Sequence, residues 1–268
     1  TQLLLTITIC IFFGLYILAM LVWGGGFLRP QQVFDMLNNN AALIIVACSL
    51  TIVMICGGID ISVGGVISLV VMACVVFLES TDNLFVTILL ALGIGLAFGL
   101  VQGFLIAKLE IQPFIVTLAG MFFARGMTAV ISTQQVSITS SSLMTELSMM
   151  KFNMPFEIGA YLNKKGKLMV PNVSIYVIIA LLVLVATFFI LRYTRFGRSL
   201  YAVGGNQQSA ALMGLDVRRT RFNAHIFCSV LTSIGAICYV LNTMCGTTRQ
   251  ALGLEMDAIS SAVIGGTL

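Results

Sequence analysis

The chain has 268 residues, of which 59% are hydrophobic and only 9% are charged, and its mean hydropathy is +1.07. A soluble globular domain carries about 25% charged residues, so this composition excludes a water-soluble protein. The formal net charge is only +4, and a single histidine leaves little material for a metal centre. Lipid is therefore the expected solvent for most of the chain.

Long apolar runs predict helices that cross a membrane. Backbone amides find no water partner in lipid, so spanning segments are helices or closed barrels, and long continuous runs select helices. The sequence predicts seven complete segments and the start of an eighth, at Leu3–Trp23, Asn40–Cys56, Gly64–Leu78, Leu84–Ala107, Pro113–Ile131, Val173–Leu191, Phe222–Leu241 and from about Ala258. The predicted fold class is an all-α membrane protein, a polytopic helical bundle with short and discontinuous helices.

Cysteine and histidine residues give no sign of metal or redox chemistry. The seven cysteines lie in or beside apolar runs, and none forms a Cys-x-x-Cys pair. We interpret them as small buried hydrophobic residues and expect no metal ligands and no catalytic residues in the chain. His225, the one histidine, receives no role from the sequence.

Loop charges predict which helix ends face the cytoplasm. If the first segment runs outward, the inner loops carry seven basic and two acidic residues, whereas the outer loops carry six basic and seven acidic residues. The positive-inside rule favours this orientation. It makes residues 132–171 a long outer loop and residues 192–221 a basic cytoplasmic region.

A glycine-rich stretch from Gly57 to Gly65 separates the second and third predicted segments. Short, glycine-interrupted spans are typical of transporters, and a charged side chain in hydrocarbon costs at least about 2.5–3.5 kcal/mol. One interpretation is that Asp60 and Ser62 cap the helix that follows. The other is that the stretch shapes a translocation path, directly or by fixing the helix break, through Gly57, Gly58, Asp60, Ser62 and Gly64.

The predicted cytoplasmic region contains a second constellation. Two adjacent glycines predict a break in the chain, and the residues after them predict a short helix that stops at Gly214, a favourable C-cap position. Small residues followed by two large apolar ones suit a stub that inserts into a groove on a partner protein. The alternative is an ordinary basic loop held by anionic lipid. The residues assigned to coupling are Gly204, Gly205, Asn206, Ser209, Ala210, Ala211, Leu212, Met213 and Gly214.

Two more polar residues lie within predicted membrane helices. Arg125 lies in the outer half of the fifth segment, where snorkelling to the outer interface is preferred over a role in a gate or path. Gln102 lies near the inner end of the fourth segment, where a hydrogen bond between helices is preferred over contact with a ligand. Both residues remain candidates for a gate or a path.

The chain has no G-x-x-x-x-G-K-[ST] phosphate-binding loop. Any ATP that drives this protein must therefore bind another chain. The sequence predicts no nucleotide site of its own, and neither non-membrane stretch is long enough for a nucleotide-binding domain.

Four stretches, in order along the chain, resemble the permease subunits of bacterial ribose-type ABC importers. That branch carries pentoses, galactose, autoinducer-2 and galactofuranose. The matching stretches are Gly57–Gly65, Ile111–Met121 with Arg125-Gly126, Thr194–Gly214, and Glu255–Ile259 with Val263–Thr267. The residues Leu118–Phe123 are most similar to the smaller galactofuranose-type permeases.

The resemblance implies the ABC importer permease fold and a multi-pass subunit of the bacterial inner membrane. It implies a second permease, homologous or identical, two ATP-binding cassette subunits inside and a sugar-binding protein outside. The Ser209–Leu212 region would be the coupling helix, and residues 132–171 and Asn242–Asp257 would face the binding protein. ATP and magnesium would bind the partner subunits, so no cofactor is expected on this chain, and no nucleic acid is expected as a partner.

The predicted function is the transmembrane permease subunit of an ATP-driven importer of a monosaccharide such as ribose or galactofuranose. Residues 1–268 are expected to form one transmembrane permease domain, incomplete at both ends because the chain starts and stops within apolar runs. A stand-alone secondary transporter or channel for a small polar solute is the alternative, although it would need more intramembrane carboxylates than Asp60. A membrane enzyme would need clustered acidic and histidine residues, which the sequence lacks.

Overall fold

A computed structural model describes residues 2–23, 30–153, 161–162 and 168–267. Parts of the predicted outer loop, residues 154–160 and 163–167, lie outside the described residues. The helices are α1 (Gln2–Trp23), α2 (Pro30–Ile55), α3 (Val63–Thr81), α4 (Leu84–Ala107), α5 (Pro113–Ile131), α6 (Ser142–Met149), α7 (Ile175–Tyr193), α8 (Arg195–Gly205), α9 (Gln207–Leu212), α10 (Val217–Thr243) and α11 (Leu254–Ile264). The strands are β1 (Val136–Ser137), β2 (Lys151–Asn153), β3 (Tyr161–Leu162), β4 (Leu168–Met169), β5 (Asn172–Ser174) and β6 (Cys245–Gly246).

Seven of the described helices are long and apolar enough to cross a membrane, namely α1, α2, α3, α4, α5, α7 and α10. The strands are two or three residues long and form three two-stranded antiparallel pairs. The predicted fold class, a polytopic helical bundle, is confirmed. The predicted bounds of the fourth and fifth segments agree with α4 and α5 at both ends.

Helix α2 begins at Pro30, ten residues before the predicted start at Asn40. Hydropathy misses these residues because the first turns of the helix are polar. These polar side chains receive partners from β5. The backbone amide of Asn172 donates to Gln31 Oε1 over 2.9 Å, and that of Ser174 donates to Asn38 Oδ1 over 3.0 Å. The structure thus extends a helix through residues whose composition resembles a loop.

Helix α10 lies at the centre of the bundle and packs against α2, α3 and α4. Its contact with α4 is close because glycines recur every four residues along α4, at Gly95, Gly99 and Gly103. A methyl group at Gly95 would overlap the Ser233 hydroxyl, and one at Gly103 would press on Phe222. Small residues allow this approach of two backbones, which is how membrane helices commonly associate.

The connecting segments group at opposite ends of the bundle. At one end, Glu79 accepts hydrogen bonds from the amides of Thr139 (2.8 Å) and Ser140 (3.1 Å), and β1 pairs with β6. At the other end, Arg218 Nη2 lies 2.7 Å from Glu110 Oε1. Arg218 and Glu110 both belong to the loops that the charge count placed inside, so the structure brings these two loops together. Which end of the bundle faces the cytoplasm stays a prediction.

After α10 the chain turns back into the bundle. Gly246 lies against Met72 in the middle of α3, and a methyl group at Gly64, near the start of α3, would press on the carbonyl oxygen of Ala251. Both contacts lie within the membrane-spanning part of α3. Residues 245–253, the re-entrant segment, therefore run along α3 at membrane depth.

The re-entrant segment corrects two expectations. The last helix begins at Leu254 and not near Ala258, because Gly253 adopts a positive φ of 83° that starts it. Gln250, Ala251 and Glu255 are buried, so these residues of the segment Asn242–Asp257 do not face an external binding protein. Their contacts with α3 and α5 hold them inside the bundle.

Candidate functional site

The membrane helix is interrupted between Ile55 and Val63, as the glycine-rich stretch predicts. Gly57 has a φ of +82°, a conformation that favours glycine because it has no Cβ. The chain then crosses the bundle interior before α3 begins. Ile61 and Ser62 are buried there together with Asp60.

Asp60 is 0% exposed, and one of its two carboxylate oxygens accepts hydrogen bonds from the chain just after it. Oδ1 accepts from the Ser62 amide at 2.9 Å and from the Ser62 hydroxyl at 2.6 Å. Ser62 is the N-cap residue of α3, but its φ and ψ of −69° and −16° are helical and its side chain makes no cap hydrogen bond. The predicted side-chain cap is therefore wrong: Asp60 ties down Ser62 in a local turn and does not bind the first turn of α3.

Gln102 of α4 reaches the same place. Its Oε1 lies 3.3 Å from the Ser62 hydroxyl. Gly120 of α5 makes room for it, because a methyl group there would overlap Gln102 Nε2. The structure thus places Gln102 in a polar contact between α4, α5 and the helix break, and the residue is only 2% exposed.

His225 of α10 completes this group, although the sequence gave it no role. Its Nδ1 lies 3.8 Å from Asp60 Oδ2, beyond hydrogen-bond distance, and both side chains are buried. We call Asp60, Ser62, Gln102 and His225 the break cluster. The separation of 165 residues between Asp60 and His225 explains why no local pattern predicts the contact.

Buried polar atoms without a partner concentrate around the helix break. Among the described residues, the buried side-chain atoms that lack a hydrogen bond are Asp60 Oδ2, Ser68 Oγ, Gln102 Nε2, His225 Nδ1 and Glu255 Oε2. Three of these atoms belong to the break cluster. A buried polar group without a partner costs about 1–3 kcal/mol, and such groups are typical of functional regions.

Arg125 of α5 binds the re-entrant segment. Its Nη2 lies 3.8 Å from Glu255 Oε1, and its guanidinium donates long hydrogen bonds to the carbonyl oxygens of Gln250 (3.5 Å) and Ala251 (3.4 Å). Its side chain is only 18% exposed. The preferred expectation of snorkelling is therefore wrong, because partners inside the bundle satisfy the charge.

Glu255 links this contact to α3. A methyl group at Gly64 would overlap the Glu255 carboxylate, so the glycine at this position allows the carboxylate to lie over the first turn of α3. Arg125 and Glu255 thus connect α5, α3 and the re-entrant segment. Glu255 begins one of the stretches that carry the resemblance, but the sequence gave it no role of its own and the loop count assigned it to the outside.

Replacing Arg125 by glutamine should destabilise the protein by about 1–3 kcal/mol, because Glu255 would stay buried without a charged partner. We expect faster hydrogen exchange in residues 247–254 and a lower melting temperature of the purified protein. The double variant Arg125→Gln with Glu255→Gln should recover part of the loss. Equal exchange in the wild type and the single variant would show that the pair does not hold the segment.

At the basic end, α8 and α9 form a helical elbow. The sequence predicted a break at Gly204 and Gly205, but both lie within α8 and the break is at Asn206. The reason is packing: a methyl group at Gly204 would overlap the carbonyl oxygen of Ile55 at the end of α2. Asn206 starts α9 by accepting a hydrogen bond from the Ser209 amide at 2.8 Å.

The residues 206–214, which we call the inner stub, have a buried root and an exposed tip. Ala210 is fully buried, whereas Leu212 is 90% exposed and Met213 is 70% exposed. Gly214 has a φ of +81°, which fits its predicted place after the short helix. The structure thus presents two large apolar side chains at the basic end of the bundle.

The described helices form a bundle with one interrupted span and an exposed stub at its basic end, and interrupted spans of this kind are typical of transporters. Residues 32–268 match the family described as the permease component of branched-chain amino acid transport systems, and the chain belongs to this family. The match covers all the described helices except α1 and the first two residues of α2.

Three curated relatives are similar over most of their length. The fructose import permease protein FruG of Bifidobacterium longum is 32% identical over all of this chain and 76% of the relative. The inner membrane ABC transporter permease protein YjfF of Escherichia coli is 36% identical over 91% of this chain and 70% of the relative. The ribose import permease protein RbsC of Escherichia coli is 32% identical over 90% and 71%.

No solved structure matches the chain significantly. The resemblance to permease subunits of ABC importers is confirmed by the family and by these relatives. Two of the three relatives carry the names of the sugars that they import. The chain is therefore a transport subunit that crosses the membrane several times.

Proposed function

We propose that this chain is the transmembrane permease subunit of an ATP-driven monosaccharide importer in a bacterial inner membrane. Residues 1–268 belong to one transmembrane domain, which forms the translocation path with a second permease, homologous or identical. Sugar arrives from a binding protein outside. ATP and magnesium bind separate ATP-binding cassette subunits, so this chain contributes no cofactor site. The sugar class is supported by relatives named as fructose and ribose import permeases.

The observation that carries the proposal is the exposed tip of the inner stub. Leu212 and Met213 are large and apolar, yet most of their surface is exposed. Burying such a side chain against a partner contributes about 1.5–3 kcal/mol. A rooted helix with an apolar tip, at the basic end of the bundle, is suited to a groove on an ATP-binding cassette subunit.

The composition of the stub argues against the lipid alternative. Residues 206–214 contain no lysine or arginine, and the basic residues lie before and after them. Anionic lipid attracts clusters of basic side chains. It would therefore bind the residues before and after the stub, and it gives no reason for the exposed Leu212 and Met213 at the tip. A protein partner accounts for the apolar tip directly.

The break cluster acts by fixing the helix break and does not line the path. Asp60 is fully buried within a single subunit, and Gln102 and His225 are nearly so. A sugar that passes between two permeases would not touch them. The cluster instead determines where α2 stops and where α3 begins.

Purification of the chain with its native partners tests the proposal. We expect an affinity-tagged protein, extracted from native membranes, to carry a stoichiometric chain with a G-x-x-x-x-G-K-[ST] loop. Sugar-loaded binding protein should stimulate ATP turnover by this complex. If the chain purifies alone and reconstituted vesicles take up sugar on a proton gradient without ATP, the secondary transporter is the correct assignment.

A further inference from the structure

The re-entrant segment forms one wall of a cleft that is separate from the break cluster. The cleft has a volume of about 450 Å³, within the range of small-molecule sites. Tyr239 of α10 contributes one wall, and Thr247, Arg249 and Asp257 contribute polar groups. We call it the re-entrant cleft.

Two opposite charges in this cleft have no partner in the part of the chain that the structure describes. Among the described residues, neither Arg249 nor Asp257 takes part in an ion pair or a side-chain hydrogen bond, and both are exposed. The Tyr239 hydroxyl also has no hydrogen-bond partner among the described residues. These groups remain available to a ligand.

The depth of the cleft explains why the charges need a polar environment. The chain on either side of Arg249 contacts the membrane-spanning part of α3, through Gly246 and Ala251. Irregular backbone at membrane depth is tolerated where it is buried or lines a water-filled cavity. Charges facing lipid would cost at least about 2.5–3.5 kcal/mol each, so we expect these two side chains to face water or a polar partner and not lipid.

Gln250 gives the segment a fixed shape. Its Oε1 accepts a hydrogen bond from the Thr247 amide at 2.7 Å, and its Nε2 donates to Thr243 Oγ1 and to the Cys245 carbonyl oxygen, both at 3.2 Å. The side chain is buried. Gln250 is a positioning residue: it closes the turn that presents Thr247 and Arg249 before any ligand arrives.

The chemistry of the lining matches a neutral polyhydroxylated ligand. A guanidinium supplies a fork of donors, a carboxylate supplies acceptors, and the Tyr239 hydroxyl can do both. The Thr247 hydroxyl already donates to Gln250 Oε1 at 3.3 Å, so it offers a ligand an acceptor. Neighbouring hydroxyl groups of a sugar can use all of them. Because Arg249 and Asp257 have opposite charges, a simple anion or cation would leave one of them unmatched. A zwitterionic amino acid would match both, and the choice of a sugar rests on the relatives named as fructose and ribose import permeases.

We propose that the re-entrant cleft is a monosaccharide subsite on the translocation path, with Arg249 and Asp257 binding adjacent hydroxyl groups. This inference rests on the proposed function as a sugar importer. Arg249 and Asp257 would contact the sugar on the path, a role that the break cluster does not fill. Arg249 was counted among the outer-loop charges in the sequence and lies instead beside the route of the substrate.

The native thiol of Cys245 allows a direct test, because it is half-buried and lines the cleft. In the intact transporter complex, with the other six cysteines replaced by alanine, a water-soluble methanethiosulfonate would label Cys245. D-ribose or D-fructose should slow this labelling severalfold, and L-leucine should not. Arg249→Ala and Asp257→Asn should each remove the protection and raise the KM of uptake about tenfold or more.

Asp82→Asn serves as the matched control, because this acid is exposed at the end of α3 and does not line the cleft. It should change neither quantity. Unchanged labelling with sugar, together with an unchanged KM in both cleft variants, would overturn the subsite. Protection by L-leucine alone would overturn the sugar class. Absence of an ATPase partner would overturn the importer proposal, whereas protection of Cys245 needs no ATP and is read independently.

Discussion

Replacing Leu212 by aspartate is expected to abolish sugar-stimulated ATP turnover while the protein still inserts into the membrane. The side chain is 90% exposed in the isolated chain, so the fold does not depend on it. In a partner's groove, the variant loses about 1.5–3 kcal/mol of apolar burial and places an unpaired charge in a dry contact. The combined loss should exceed about 3 kcal/mol, or more than a hundredfold in affinity.

The measurement is the amount of ATPase chain that co-purifies, together with the turnover stimulated by loaded binding protein. Leu212→Met is the matched control, because it keeps an apolar side chain of similar volume and should retain both. Membrane levels of the two variants should be equal. A Leu212→Asp complex that keeps its ATPase and its stimulation would remove the inner stub from the coupling contact.

Replacing Gly95 by valine should disrupt the bundle itself. A side chain there would overlap the Ser233 hydroxyl and press on the Ser229 carbonyl oxygen, so α4 and α10 would have to separate. Overpacking of this kind costs about 3 kcal/mol, which corresponds to a fall of about 6–12 °C in the melting temperature for a protein of this size. The melting temperature of the purified protein in detergent is the measurement.

Gly93 offers a control two residues away on the same helix. Nothing lies within 4 Å of a methyl group at this position. Gly93→Val should therefore melt close to the wild type, and the two substitutions share composition, helix and hydropathy. Equal melting of the two variants would mean that the close approach of α4 and α10 is unimportant for stability.

The membrane helices could be predicted because lipid imposes a strong and simple constraint. Every spanning segment must be long, apolar and helical, and α4 and α5 satisfy this from end to end. The start of α2 escaped prediction because its polar turns rely on amides of Asn172 and Ser174, which are more than a hundred residues distant. A hydropathy profile uses only neighbouring residues, so it cannot show that polar helical turns are stabilised by hydrogen bonds from a distant part of the chain.

The site was harder to predict than the fold, because a glycine or an arginine in a membrane helix can have several different structural roles. From the sequence, Gly204 could serve either to break the helix or to let two backbones approach closely. Its contact with the Ile55 carbonyl oxygen shows that it does the second. Arg125 and Glu255 are 130 residues apart, so snorkelling was the simpler expectation. The re-entrant segment is polar and short, and therefore its sequence was indistinguishable from an external loop.

The contact between Gly204 and the end of α2 has a mechanical consequence. No side chain stands between the elbow of α8 and α9 and the carbonyl oxygen of Ile55, so no rotamer change can absorb a small displacement. We therefore expect a displacement of the inner stub to act directly on the end of α2, and Gly57 in the helix break follows only two residues after Ile55. The size of the transmitted movement would depend on how rigid the backbones of α8 and α2 are, because they touch at Gly204, a residue without a side chain.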